Sequence, residues 1–302
     1  MADDSVIDAL LREEGLDRSY KELVVRGHLS RLAGEIAALR RGRNRPIVVG
    51  LCGPQGSGKS TMSRFLAALL DARGWRTAIL SLDDLYLKRE ERARLAETVH
   101  PLLATRGVPG THDVDLGLEI LDALFEADIG DCTRMPRFDK AADTRAAGTG
   151  ADDFEGRADV VLFEGWCVGA APQDPGLLDE PINALERDED AQGVWRRYVN
   201  EQLAGPYQEL FDRIDFLTLL QAPDFSHVLT WRTEQEHKLR DRIAETGAAT
   251  RVMTDEEVAR FIMHYERLTR HVLAEMPPRT DARLKLDGAR RIVQYVSRPT
   301  HR

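Results

Sequence analysis

"GPQGSGKST", Gly53 to Thr61, is the stretch on which the reading turns. It satisfies the spacing G-x-x-x-x-G-K-[ST], follows an apolar run that reads as a strand, and opens a run with helical period. Glycines at this spacing let the backbone curl so that its N–H groups converge on one point, where the positive end of the helix dipole adds to them. Such a cradle suits a polyphosphate. Gly53, Gly56, Ser57 and Gly58 line it, Lys59 reaches the β- and γ-phosphates, Ser60 offers its hydroxyl to Mg2+ and Thr61 can bond the α-phosphate. ATP and Mg2+ are the cofactors this predicts.

Outward from the loop, "PIVVGLCG" before it is bounded by proline and glycine, as a strand buried on both faces should be. "STMSRFLAALLDARG" after it is helical in period and closes at Gly74. "RTAILSLDD", "ADVVLFEGW" and "RIDFLTLLQAP" read as further strands, and "DLGLEILDALFEAD" as a helix between them. Strands alternating with helices predict a P-loop NTPase-type α/β fold with a doubly wound parallel sheet. Helices are expected over 3–14, 17–41, 186–213, 226–245 and 254–275. In the second of them Val25, Leu29, Leu32, Ile36 and Leu39 recur on one face. "ARLKLDGARRIVQYV" is expected to add a strand and a short helix, and residues 141–157 to form a loop. Residues 1–44 read as a helical segment packed on the main body, and 45–302 as the P-loop domain, including a helical lid around 226–245.

The 302 residues are 31% charged and 42% hydrophobic, with a formal net charge of -9. That balance disfavours nucleic acid and anionic membrane as partners, so an anionic ligand needs a local basic site. Cys52, Cys132 and Cys167 are too few and too scattered for a disulfide framework, which points to a reducing, cytoplasmic setting. The acidic start "MADDSVIDALLREEG" resembles no signal sequence, and no apolar run nears the roughly 20 residues of a membrane span. A soluble protein is expected, with a homodimer left open.

A phosphate loop alone does not name a reaction. "SLDDLYL" places Asp83 and Asp84 just past a strand, at the edge where open α/β sheets hold ligands. A carboxylate there can take the proton of an attacking hydroxyl or help hold Mg2+, and either aspartate could instead cap a helix. Glu164 ends another apolar strand, where burial without a partner would be expensive, so it is the second candidate for the metal. No N-K-x-D-type segment supports a GTPase. The basic helix "TWRTEQEHKLRDR" carries Arg232, Lys238, Arg240 and Arg242 over about three turns, and such a helix can close over polyphosphate and exclude water.

Taken together, "GPQGSGKST", "SLDDLYL", "TRGVPGTHD", "MPRFDKAADTR", "VVLFEGW", "PINALERDED" and "WRTEQEHKLR" resemble the plant- and fungal-type D-glycerate 3-kinase family. Its relatives are uridine kinase, phosphoribulokinase and bacterial pantothenate kinase. The resemblance covers nearly the whole chain. It implies transfer of the γ-phosphoryl group of ATP to a hydroxyl of a small molecule. It implies Asp83 as general base, with Asp84 its less certain neighbour, Glu164 as the acid ending the Walker-B-like strand, and Arg232 and Arg240 as lid residues. "RGVPGTHD", Arg106 to Asp113, is then the loop beside the acceptor and "PRFDK", with Asp139 and Lys140, the strip facing it.

Glycerate carries a carboxylate and vicinal hydroxyls. Arg106, Lys140 and Arg145 are candidates for the carboxylate, and His112 and Asp113 for the hydroxyls. A kinase for a nucleoside, pantothenate or a polyol, and a P-loop ATPase or ATP sensor without an acceptor, stay open as alternatives.

Overall fold

The computed structural model describes residues 4–140, 142–146, 153–246 and 252–298, the side chains of 242–246 aside. Six strands form the central sheet: β1 (Ile47–Cys52), β2 (Thr77–Ser81), β3 (Val160–Gly165), β4 (Ile214–Gln221), β5 (Ala282–Leu286) and β6 (Ile292–Ser297). Their spatial order is β6-β5-β4-β1-β3-β2, parallel throughout except for β6, which runs antiparallel to β5. β1 and β3 are buried along their full length, as their uninterrupted apolar sequences require when helices cover both faces. The β1–β4 ladder shifts register between Val48 and Val49, and there the Asp215 carboxylate accepts the Val48 N–H at 3.1 Å and pairs with Arg45. The side chain supplies the acceptor that the displaced ladder withholds.

β1 sits between β3 and β4, so the chain leaves β1 toward one half of the sheet and reaches the other half only after β3. Ligands in open α/β sheets gather at the carboxyl ends of the strands beside such a reversal. The phosphate loop follows β1, Asp83 and Asp84 lie in the short 3-10 turn Leu82–Leu85 after β2, and Glu164 ends β3.

The first helix, Asp4–Glu13, buries Ile7 and Leu11. The next helical stretch runs from Arg18 to Arg41, as the stripe of apolar residues predicts, but its segment Lys21–Leu29 is π-helical. The wider turn puts Lys21, Val25 and Leu29 in one buried column, and Lys21 reaches Asp8 of the first helix at 2.6 Å. Val25, Leu29, Leu32 and Ile36 join the same apolar cluster as β1 and the helix Lys59–Asp71, and Leu39 lies partly buried at its margin.

Three expectations are corrected. The span 186–213 is not one helix but three, Ala184–Glu189, Val194–Ala204 and Pro206–Phe211. Gly193, in the left-handed region at φ 70°, and Pro206 break it, and Asp190 caps the middle piece through Trp195 N and Arg196 N. The C-terminal "short helix" is instead β6, turned back on β5 through Asp287 to Arg291, with Arg290 at φ 64°. Its β-branched and aromatic residues fit a pleated surface better than a helix. The loop 141–157 carries half of two small ladders, Phe138–Asp139 with Thr144–Arg145 and Cys132–Thr133 with Phe154–Glu155, while 141 and 147–152 fall outside the described residues. A helix at Arg89–Thr98 precedes the acceptor loop.

Candidate active site

Within the phosphate loop, Gly56 at φ 74° lies so close to the long helix Phe225–Thr246 that a Cβ would stand 2.8 Å from the Cβ of Trp231. Only glycine fits there, both for conformation and for space. Lys59 begins the helix that follows the loop. Beside it Ser60 Oγ donates to Glu164 Oε1 at 2.8 Å, and Ser81 Oγ donates to the same oxygen at 3.0 Å. Glu164 is only 4% exposed, and its second oxygen, Oε2, is buried without a hydrogen-bond partner. A buried carboxylate oxygen left unpaired costs on the order of 1–3 kcal/mol, a cost that a hard cation would remove. Ser60 and Glu164 thus fit Mg2+. Thr61 Oγ1 donates to Glu14 at 2.6 Å, tying the first turn after the loop to the N-terminal helices.

Asp83 stands at the centre of the cleft. Its Oδ1 accepts from Tyr86 Oη at 2.8 Å and its Oδ2 from Lys140 Nζ at 2.7 Å. Burial would raise its pKa, but the Lys140 and Lys59 cations and the two hydrogen bonds outweigh that, and the carboxyl sits well below the usual range. Asp84 does different work: its oxygens take the Phe138 N–H at 2.9 Å and Arg137 Nη1 at 3.0 Å, so it fastens the "PRFDK" strip. Burial raises the Asp84 pKa. The pair that sequence could not separate is separated by partners.

The loop Arg106–Asp113 is bolted from several directions. Trp166 Nε1 donates to Gly107 O at 2.8 Å, Tyr265 Oη donates to Arg106 O at 3.0 Å, and Gly110 N donates to Tyr207 Oη at 3.0 Å. Gly107 has φ 132°, and a Cβ on it would overlap Tyr265 Oη at 1.9 Å. Loop and turn also pair as strands do: Leu87 N donates to Thr111 O and Asp113 N to Leu85 O. His112 is 5% exposed, stacks on Tyr86 with ring centroids 4.7 Å apart, and touches Tyr207 Oη with Nδ1 at 2.5 Å. Burial pushes its pKa down to about 3, so the ring is neutral.

Of the other substrate candidates, Asp113 caps the helix Val114–Glu126 through Leu116 N and pairs with Arg145 at 2.9 Å. Arg106 pairs with Asp143, whose other oxygen is held by the buried Arg92 at 2.5 Å. Asp139 Oδ1 accepts from Ala142 N at 3.0 Å in the turn after Phe138–Asp139. The structure therefore brings Asp83, Lys140, His112 and Arg106 around one region, and gives Asp113 and Arg145 to each other. On the long helix Arg232 pairs with the buried Glu236 at 2.6 Å, next to Trp231 on the phosphate loop. Arg240 reaches Met253 O at 3.2 Å, near the start of the helix Asp255–Glu275, and the side chain of Arg242 lies outside the described residues.

Sequence reasoning gave no site role to Tyr86, Ser81, Trp166, Arg92 or Asp143, and took Tyr207 and Tyr265 for support and packing. Tyr86 and Ser81 carried a signal, being in "SLDDLYL" itself. Trp166 and Asp143 also stand in quoted motifs, "VVLFEGW" and "MPRFDKAADTR", whereas Arg92, Tyr207 and Tyr265 arrive from elements that no spacing connects.

No family model matches the chain. Over 73% of its length it is 35% identical to an uncharacterized kinase of Schizosaccharomyces pombe, mug58, covering 79% of that protein. The chain belongs to the family of P-loop kinases that includes this protein. It is 32% identical over 73% of its length to the chloroplastic D-glycerate 3-kinase of Arabidopsis thaliana, of whose length it spans 46%. It also resembles the structure of a D-glycerate 3-kinase from Cryptococcus neoformans, with a TM-score of 0.71, 29% identity and coverage of 90% of this chain and 99% of that one. This kinase is accordingly an ATP-dependent phosphotransferase with a hydroxyl acceptor. Among its described residues no helix is long and apolar enough to cross a membrane.

Proposed function

We propose that this kinase transfers the γ-phosphoryl group of ATP to D-glycerate, with Asp83 as the general base. The observation that carries the reading is the position of Asp83. It lies past β2, between Lys140 and Tyr86, while the phosphate loop and the Ser60–Glu164 pair lie past β1 and β3 of the same sheet edge. Its low pKa keeps it ionised near neutrality, so its oxygens can accept a hydrogen bond from the acceptor hydroxyl, and its basicity would rise once Lys140 turns to the acceptor. Lys59 and the amides of Gly53, Gly56, Ser57 and Gly58, with Ser60, would hold the triphosphate, and Thr61 would have to release Glu14 before its hydroxyl could donate to the α-phosphate. Mg2+ would be held by Ser60 and Glu164, with Asp83 a further candidate to hold it. When bound it neutralises charge on the β- and γ-phosphate oxygens.

Arg106, Lys140 and His112 would receive the acceptor's carboxylate and hydroxyl oxygens, and Arg232 and Arg240 belong to a lid around 226–245. Against a nucleobase acceptor, the aromatic faces near the loop are already used. Tyr86 is covered by His112 and the edge of Phe138, and Trp166 meets the edge of Tyr265. Residues 1–44 act as a helical support for the kinase body at 45–302. The cysteines Cys52, Cys132 and Cys167 are all free, in keeping with a cytoplasmic, reducing setting.

The test is ADP release with D-glycerate, nucleosides, pantothenate and polyols side by side. D-glycerate is expected to stimulate release far beyond the others. ATP hydrolysis indifferent to every acceptor sinks the proposal. Asp83→Asn is expected to lower kcat by about 10²–10⁴-fold while nucleotide binding persists.

A further inference from the structure

We infer that His112 presents a fixed Nε2–H donor to an oxygen of the acceptor, and that Tyr207, at the opposite edge of the ring, is the positioning residue that fixes it. The argument is an accounting of protons. Tyr207 is fully buried, and its hydroxyl oxygen receives the Gly110 N–H at 3.0 Å. That hydroxyl has one proton of its own to place, and the His112 Nδ1 at 2.5 Å is the acceptor beside it. Were Nδ1 protonated instead, the Tyr207 O–H would be left without an acceptor in a buried site, which is costly. The satisfied arrangement runs Gly110 N–H to Tyr207 Oη, Tyr207 O–H to His112 Nδ1. The ring is neutral, so its remaining proton is on Nε2.

That Nε2 is buried and has no hydrogen-bond partner. It is the end of a chain of three groups whose every other member is paired. The imidazole is stacked on Tyr86, and Tyr86 Oη is bonded to Asp83, so the orphan donor stands in the same wall as the proposed base. A neutral donor beside an ionised aspartate suits an oxygen of a hydroxy acid, and adds no further cation to a region already holding Lys140 and Arg106. This inference rests on the acceptor reading above, and concerns how that acceptor is oriented rather than how its proton is lost.

The experiment begins without turnover. In protein labelled with 15N-histidine, the long-range ring couplings of His112, assigned among eight histidines by the His112→Gln spectrum, should show the Nε2–H tautomer near neutral pH. Addition of D-glycerate should shift that Nε2 resonance. Tyr207→Phe should scramble the tautomer and raise the acceptor KM by about 10- to 100-fold while the KM for ATP stays put. His112→Asn should do the same, and His112→Gln, whose amide nitrogen reaches near the Nε2 position, should recover part of the loss. An Nδ1–H tautomer, a resonance unmoved by an acceptor that is turned over, or equal KM effects on ATP and acceptor overturns the inference and leaves the kinase reading intact. Acceptor-independent hydrolysis overturns both.

Discussion

Asp83 shows how a single residue's charge is set by its neighbours. Burial pulls its pKa up, Lys140 and Lys59 pull it down, and the cations win. Lys140 is half of that balance and is itself 60% exposed, so it can be exchanged without collapsing a core. Lys140→Met leaves the burial and removes the nearer cation, which disfavours the ionised form. The Asp83 pKa must then rise, and the acidic limb of kcat/KM must move to higher pH than in the wild type. A pH–rate profile reads this directly; an unmoved limb would take the proton-accepting role away from Asp83. Glu164→Gln keeps shape and removes charge where one oxygen is unpaired. It is expected to raise the Mg2+ concentration needed for half-maximal stabilisation by ATP about 10- to 100-fold, measured by thermal shift.

At the scale of elements, Gly56 is fixed by what lies against it. Gly56→Ala pushes a methyl group into Trp231 and forces a left-handed φ on alanine, a strain of about 1–3 kcal/mol. Thermal stabilisation by ATP should be lost in this variant, while an alanine at Gly74, left-handed too but in open space, should leave it intact. The phosphate loop was legible because its residues are contiguous and each has a local reason. The strands were legible because burial on both faces writes an uninterrupted apolar run, as in β1 and β3. The acceptor loop was legible as a polar turn but not as a bolted one. Trp166, Tyr207 and Tyr265 reach it from elements far along the chain, so the sparse aromatics of its own neighbourhood misrepresent its surroundings. β6 was misread because its alternation is too short to separate a strand from a helix, and only pairing with β5 decides it.

Over the whole molecule, one apolar cluster runs from Ile7 and Leu11 through Leu29 and Ile36 to the sheet and on to Leu286. The N-terminal helices are therefore expected to melt with the kinase body in a single transition. Leu29→Ala, at a fully buried site in the N-terminal helices, should cost about 2–5 kcal/mol and lower Tm by roughly 3–8 °C, with the KM for ATP unchanged. Two separated calorimetric peaks would contradict this continuity. The positions of two indoles carry a practical consequence. Trp231 lies against Gly56 of the phosphate loop, whereas Trp166 is hydrogen-bonded to Gly107 of the other loop. On the function proposed above, each ligand has a chromophore of its own. Variants retaining only one of these indoles would let emission spectra follow the arrival of nucleotide and of cosubstrate as separate signals, without any attached dye.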